Sequence, residues 1–154
     1  MNAPKQLDNS PVPVRAKLAA AWTTLVLLII YIDYLHLYQP GQIDGLRGGT
    51  IFAFDISAPL VTGFFTVIAV PSLMVLLSMT LPARVNRATT LVVAALYAPL
   101  SAVNALEVPW DWALYYAVTI GIEMVILAFI LRSAWTWPRT PAATALPHSP
   151  EVSP

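Results

Sequence analysis

Three ionisable side chains could do chemistry because they lie within or at the end of strongly apolar segments: Asp33, His36 and Glu123. Asp33 and His36 are three residues apart, so a helix would place them side by side on one face. At 1.5 Å per residue, Asp33 would lie roughly 8 Å and Glu123 roughly 16 Å below the outer ends of their helices. A carboxylate near the middle of a bilayer costs about 2.5–3.5 kcal/mol unless it is paired, hydrated or protonated. The pattern therefore predicts a polar site inside a membrane protein.

Two further polar residues complete this candidate site. Tyr31 precedes Asp33 on the same segment, and Asn104 lies near the end of a later one. The group could bind a proton, a cation or another small solute, or it could hold helices together through hydrogen bonds. One histidine and two carboxylates at different depths make a weak metal-ligand set, so we expect no metal and no cofactor. No Ser-His-Asp or zinc-binding pattern supports an intramembrane hydrolase, and an enzyme has the least support.

The segments that carry these residues are long and apolar. The 154-residue chain is 58% hydrophobic and only 10% charged, whereas a soluble domain is about 25% charged. About 20 helical residues cross the hydrocarbon core of a bilayer. The composition therefore predicts an all-α integral membrane protein whose lipid-embedded spans are residues 18–38, 58–80, 88–107 and 112–131. The net charge of zero gives no basic surface for nucleic acid, and the absence of cysteine excludes disulfides and thiolate sites.

The distribution of charge predicts the orientation of these spans. Basic residues precede the first span, lie between the second and third, and follow the fourth: Lys5, Arg15, Lys17, Arg84, Arg87, Arg132 and Arg139. Arg47 alone lies on the other side, with Asp44, Asp55, Glu107 and Asp111. The positive-inside rule places both termini in the cytoplasm, together with the basic turn that contains Arg84, Asn86 and Arg87. Short second and third connections favour antiparallel neighbours, so we expect an up-down-up-down four-helix bundle in the cell membrane.

The ends and the first connection look irregular. Residues 1–14 and 139–154 are proline-rich and predicted to be disordered tails around a transmembrane domain of residues 15–138. Residues 39–57 are predicted to form a flexible outer loop, after which Asp55 or Ser57 caps the second long helix and Pro59 lies in its first turn. Aromatic residues near the segment ends are predicted to form belts at the membrane interfaces: Trp22, Tyr38, Trp110, Trp112, Trp135 and Trp137.

Proline and small residues bear on how the helices pack. Pro71 and Pro99 lie inside the second and third spans, and each removes the hydrogen bond to the carbonyl four residues earlier, at Val67 and Ala95. Each is predicted to kink its helix, with a hinge as the alternative, and neighbouring helices or Ser/Thr side chains can satisfy the freed carbonyl. Small residues at four-residue spacing allow close packing within the chain or across a homodimer: Ala94, Ala98 and Ala102, and Ala117 and Gly121.

Three stretches resemble a known family: "YIDYLHLYQPG", "PSLMVLLSMTLPARVNR" and "YYAVTIGIEMVILAFILRSAWTWP". They are similar to the small four-helix bacterial membrane proteins of domain of unknown function 6326, over residues from about 18 to 138. The family-like positions are Asp33, Pro40, Gly41, Pro71, Asn86, Arg87 and Glu123. "VIAVPS" departs from the expected acidic residue before Pro71, which argues against a multi-carboxylate site. The resemblance implies the fold and topology and brings no activity.

The sequence therefore indicates a multipass inner-membrane protein of unknown activity, with the lipid bilayer as its surroundings. Two more specific functions stay open: a small proton- or cation-coupled transporter, and a structural protein that pairs with itself or with a membrane partner.

Overall fold

A computed structural model describes residues 10–51, 54–103 and 109–138 of the chain. Within them lie four long helices, α1 (Val14–His36), α3 (Ala58–Thr80), α4 (Ala83–Val103) and α5 (Ala113–Trp135). The short helix α2 (Gln42–Arg47) and the strands β1 (Thr50–Ile51) and β2 (Phe54–Asp55) join α1 to α3, and the 3₁₀ turn Trp110–Trp112 precedes α5. The all-α prediction is confirmed. The second predicted segment matches α3, whereas the other three are shifted by up to five residues at one or both ends.

In the described part of the chain, three stretches of helix are long and apolar enough to cross a membrane: Val14–His36, Ala58–Thr80 and Trp110–Trp135. Few residues in each are buried inside the chain, and many of the exposed ones are large and apolar, such as Leu27, Phe65 and Val125. Hydroxyl groups on these surfaces donate to the carbonyl four residues earlier in their own helix: Thr23, Thr24, Thr62, Thr66 and Ser72. Such bonds satisfy a hydroxyl where no water is available.

Helix α4 differs from these three because its first two turns are polar. They carry Arg84, Asn86, Arg87, Thr89 and Thr90. The third predicted span, residues 88–107, starts within α4 and ends in residues 104–108, which lie outside the described part of the chain.

The core lies where the long helices meet. On α1, Leu18, Trp22 and Leu25 follow the i, i+4, i+7 pattern of one helix face, and each is at most 1% exposed. They belong to one buried cluster with Met74 of α3 and Leu127 of α5. The prediction that Trp22 lies in an interfacial belt is therefore wrong. Its position eight residues inside α1 and on the same face as Leu18 and Leu25 makes it a packing residue.

Pro82 explains the buried polar residues at one end of the molecule. The carbonyl of Ser78 would normally accept from the amide of residue 82, but proline has no N–H. The Asn86 side chain, which is fully buried, donates to this carbonyl instead through Nδ2 at 2.6 Å. Thr90 Oγ1 donates in turn to Asn86 Oδ1 at 3.2 Å. Asn86 of the predicted basic turn therefore caps α3.

Two arginines cap helix ends at the same end of the molecule. Arg15 Nη1 donates to the carbonyl of Met79 at 3.0 Å, and Arg87 Nε donates to the carbonyl of Ala134 at 3.1 Å. The Arg87 guanidinium also lies 5.8 Å from the centre of the Trp135 ring. Cations at helix C-termini stabilise the exposed carbonyls by about 0.3–1 kcal/mol each. The start of α1 therefore lies beside the end of α3, and the start of α4 beside the end of α5.

The connection between α1 and α3 has more regular structure than predicted. Gln39 to Gln42 form a turn closed by a 3.2 Å bond from the Gln42 amide to the Gln39 carbonyl. Pro40 and Gly41 occupy its centre, and Gly41 has φ +84° and ψ −15°, the type II geometry that favours glycine. Helix α2 and the antiparallel pairs Thr50–Asp55 and Ile51–Phe54 follow. Of the two predicted caps, Asp55 and Ser57, Ser57 caps α3 by accepting from the Leu60 amide, and Pro59 lies in the first turn.

Candidate functional site

A cavity of about 450 Å³ lies between the long helices, and all four contribute to its wall. Among the described residues, its polar lining residues are Asp33, His36, Gln42, Tyr97, Ser101 and Glu123. The other nine lining residues are Ile, Leu, Val or Phe. Leu46 of α2 and Ile51 of β1 are among them, so the α1–α3 connection covers part of the cavity. This cavity, called the acidic cavity below, has the size and the apolar wall of a small-molecule site.

Hydrogen bonds between α1 and α5 position the two carboxyl groups. The Tyr115 hydroxyl donates to the carbonyl of Ile32 at 2.9 Å, one residue before Asp33. The Tyr116 hydroxyl lies 3.2 Å from His36 Nδ1 and accepts from Gln39 Nε2, also at 3.2 Å. Glu123 follows Tyr116 by seven residues, so both side chains lie on the face of α5 that meets α1. The end of α1 is thereby held against the start of α5.

Glu123 is the more deeply buried of the two acids, with 5% of its surface exposed, whereas Asp33 is an exposed residue at the cavity wall. The Ser101 and Glu123 side chains both line the cavity, and Glu123 is near enough to Ser101 and to Asp33 to interact with both. Asp33 also interacts electrostatically with His36. Two acidic groups on different helices therefore share one cavity with one histidine.

Tyr97 connects the cavity to the proline of α3. Its hydroxyl donates to the carbonyl of Val67, the group that Pro71 deprives of its helical partner. Val67 and Tyr97 both line the cavity, so this bond forms part of the wall. The expectation that a neighbouring helix satisfies this carbonyl is confirmed. Both Pro71 and Pro99 lie inside continuous helices, and the predicted kinks stay predictions.

Of the predicted site residues, the structure brings Asp33, His36 and Glu123 together. Tyr31 is 62% exposed and does not line the cavity, because it lies two residues before Asp33 on the helix. Asn104 lies outside the described residues. The basic turn of Arg84, Asn86 and Arg87 lies at the opposite end of the helices, where Asn86 and Arg87 cap helix termini and Arg84 is exposed.

Sequence reasoning did not single out Ser101 and Gln42. The position of Ser101 could have been inferred from helical spacing, because Ser101 follows Tyr97 by four residues and so lies on the same helix face. Gln42 gave no comparable signal, since its place at the cavity depends on the turn that folds α2 back. In the part of the chain that the structure describes, no group of three histidine or acidic side chains could hold a metal ion.

The fold and the cavity define an all-α protein whose described residues include three helices of membrane-spanning length and apolarity. The chain belongs to a family of unknown function, DUF6326, whose profile matches residues 13–144. No curated protein and no solved structure matches the chain.

Proposed function

We propose that the protein crosses a bacterial inner membrane four times, as an up-down-up-down bundle with both termini in the cytoplasm. The three 23-residue helices α1, α3 and α5 have a length of about 34 Å, enough for a hydrocarbon core of about 30 Å. Their exposed apolar side chains favour lipid as the surrounding medium. Helix α4 completes the bundle with its polar first turns at the cytoplasmic face.

The distribution of charge supports this orientation. Arg15 and Arg87 contact the ends of α3 and α5 at one end of the molecule. Asp44 and Asp55 lie in the connection at the other end, and Asp111 lies in the turn before α5. Placing the basic end in the cytoplasm satisfies the positive-inside rule.

We further infer that the acidic cavity is the proton- or cation-binding site of a small cation-coupled transporter. The observation that carries this inference is the presence of Asp33 and Glu123 in the wall of one cavity, with neither lysine nor arginine among its described lining residues. Two carboxyl groups among apolar walls are unfavourable without a compensating positive charge. A bound proton or cation supplies that charge, and competition between the two would couple their movements.

The prolines and their partner suggest how such a site opens. Pro71 weakens α3 beside the cavity, and the Tyr97 hydroxyl on α4 holds the freed carbonyl. Breaking one side-chain hydrogen bond would allow α3 to bend at this point. We propose that this contact changes when the cavity opens to the other side of the membrane.

The experiment is cation–proton exchange in proteoliposomes. A pH gradient is imposed, Na⁺, K⁺, tetramethylammonium or benzyltrimethylammonium is added outside, and the collapse of the gradient is followed with a pH-sensitive dye. We expect at least one cation to collapse the gradient with wild-type protein and not with Glu123→Gln. Asp111→Asn removes an exposed carboxylate outside the cavity and should behave as wild type. Equal collapse with wild type and Glu123→Gln, or none with wild type, would refute a coupled site.

The hydrogen bonds of the site support a second function, that of a structural or partner-binding membrane protein. Glu123 lies near Ser101 of α4, and His36 Nδ1 lies 3.2 Å from the Tyr116 hydroxyl of α5, so these groups could serve only to hold helices together. In that case Glu123→Gln, which can still hydrogen-bond, should be tolerated in every assay, whereas Glu123→Leu should lower stability. A homodimer or another membrane protein would then be the functional partner.

A further inference from the structure

We propose that the ligand of the acidic cavity is a monovalent organic cation that carries an apolar body, such as a hydrophobic amine or quaternary ammonium compound. This proposal rests on the cation site proposed above and names its ligand class. The cavity wall specifies the class through its charge, its apolar surface and its volume.

The charge of the wall selects a cation. Among the described lining residues, the acidic ones are Asp33 on α1 and Glu123 on α5. The other ionisable groups there are the His36 imidazole and the Tyr97 phenol. The walls around them are apolar, and a low local dielectric strengthens the attraction between a carboxylate and a positive ligand. An anionic ligand would face the two acidic groups with neither lysine nor arginine in the described wall to compensate.

The apolar surface argues against a bare inorganic ion. Calcium binds six to eight oxygen ligands and magnesium needs near-octahedral coordination. The described residues offer no cluster of three acidic or histidine side chains suited to a metal. An organic cation loses less hydration free energy on leaving water, because its charge is spread over a larger group. Its carbon atoms also gain contacts with the wall. Nine apolar side chains line the cavity for such contacts.

The volume and the aromatic lining fit the same class. A cavity of about 450 Å³ lies within the range of about 300–1,000 Å³ that small-molecule sites occupy. Phe64 and Tyr97 are in its wall, and aromatic rings attract quaternary ammonium groups. The cavity therefore offers an acidic group for the charge and apolar or aromatic surface for the body of one ligand.

The test uses a ligand and a control that differ in one atom. Benzyltrimethylammonium has a positive nitrogen where neopentylbenzene has a neutral carbon, and the two have the same shape. Equilibrium binding of labelled benzyltrimethylammonium is measured on full-length protein in lipid nanodiscs, with neopentylbenzene and tetramethylammonium as competitors. Tetramethylammonium carries the charge without the aromatic body. We expect saturable binding of benzyltrimethylammonium, and at least about tenfold weaker competition by either control.

Two variants assign the binding to the cavity. Asp33→Asn and Glu123→Gln should each weaken the binding of benzyltrimethylammonium by about tenfold or more, because each removes a charge from the wall. Asp111→Asn, with the same change of charge outside the cavity, should bind as wild type does. Circular dichroism of each variant checks that its helices are retained, and Glu123→Gln keeps a group that can bond Ser101.

The outcomes separate this proposal from the one on which it rests. Equal competition by neopentylbenzene would show that the protein does not recognise the positive charge of the ligand, and would overturn the proposal. A second outcome is that benzyltrimethylammonium does not bind, or binds independently of Glu123, while small cations are exchanged in a Glu123-dependent way in the proteoliposome assay. That outcome would refute the organic ligand and still support a cation site. If neither assay depends on Glu123, both the organic ligand and the cation site are refuted.

Discussion

The hydrogen bond from Tyr97 to Val67 can be tested by a double-mutant cycle with Pro71. Tyr97→Phe removes the hydroxyl and leaves the ring, which is 7% exposed in its packed position. The carbonyl of Val67 then loses its donor, because Pro71 has no N–H to offer. Side-chain hydrogen bonds in membrane proteins average about 0.6 kcal/mol and reach about 1.7 kcal/mol. We expect a loss of about 1–1.5 kcal/mol, near the upper end, since the carbonyl has no helical partner.

Pro71→Ala supplies the missing partner, because the backbone amide of an alanine at this position can donate to the Val67 carbonyl as in an ordinary helix turn. In that background Tyr97→Phe should reduce the free energy of unfolding by less than about 0.5 kcal/mol. The coupling between the two positions is then about 1 kcal/mol. The cycle cancels the separate effect of removing the buried proline ring.

Reversible unfolding in mixed micelles, titrated with sodium dodecyl sulfate and followed by circular dichroism, measures these four free energies. Tyr34→Phe is the matched control, because the Tyr34 hydroxyl bonds only the exposed Tyr38 among the described residues. We expect no measurable change for it. An equal loss from Tyr97→Phe with and without Pro71 would refute the claim that the hydroxyl serves the carbonyl freed by proline.

Three further predictions concern the helix ends, the core and the orientation. Asn86→Leu should destabilise the protein by about 1–3 kcal/mol in the same titration, because the carbonyl of Ser78 loses its donor; an unchanged midpoint would exclude the capping role. Trp22→Ala should cost about 3–5 kcal/mol, whereas Phe65→Ala, at a residue 69% exposed, should cost little; similar losses at both positions would contradict the burial of Trp22. The chain has no cysteine, so single cysteines can report the orientation. Asp111→Cys should react with a membrane-impermeant maleimide on intact spheroplasts, and Val12→Cys only after the membrane is opened. The reverse pattern would show the opposite topology.

Much of the helical architecture follows from the sequence because a long apolar segment by itself predicts a long helix. Residues 58–80 match α3, and Ser57, one of its two predicted caps, is the observed one. The helices α1, α4 and α5 begin or end several residues away from the predicted bounds. Polar residues such as Arg15 and Asn86 continue a helix beyond its apolar part, so a pattern of hydrophobicity cannot place those ends.

The candidate site was predictable in part for a related reason. Asp33, His36 and Glu123 are polar groups in apolar helices, and such groups turn towards other helices. The prediction for Trp22 was wrong because a largely apolar ring can pack either against lipid or against another helix, and the sequence does not distinguish the two. The role of Gln42 depends on the turn at Pro40 and Gly41, and the contact from Tyr97 to Val67 depends on the packing of α4 on α3. Tertiary contacts of this kind leave no periodic signal in one sequence.

Infrared difference spectroscopy of the carboxyl groups can show whether a cation binds at Glu123 in the acidic cavity. Protein reconstituted in lipid is perfused with and without cation, first tetramethylammonium and then benzyltrimethylammonium, and the carboxyl bands are compared between wild type, Glu123→Gln and Asp111→Asn. If a cation binds at Glu123, we expect a cation-induced change in the carboxyl bands that is present in wild type and Asp111→Asn and absent in Glu123→Gln. A spectrum that does not respond to either cation, or that responds equally in Glu123→Gln, would contradict it.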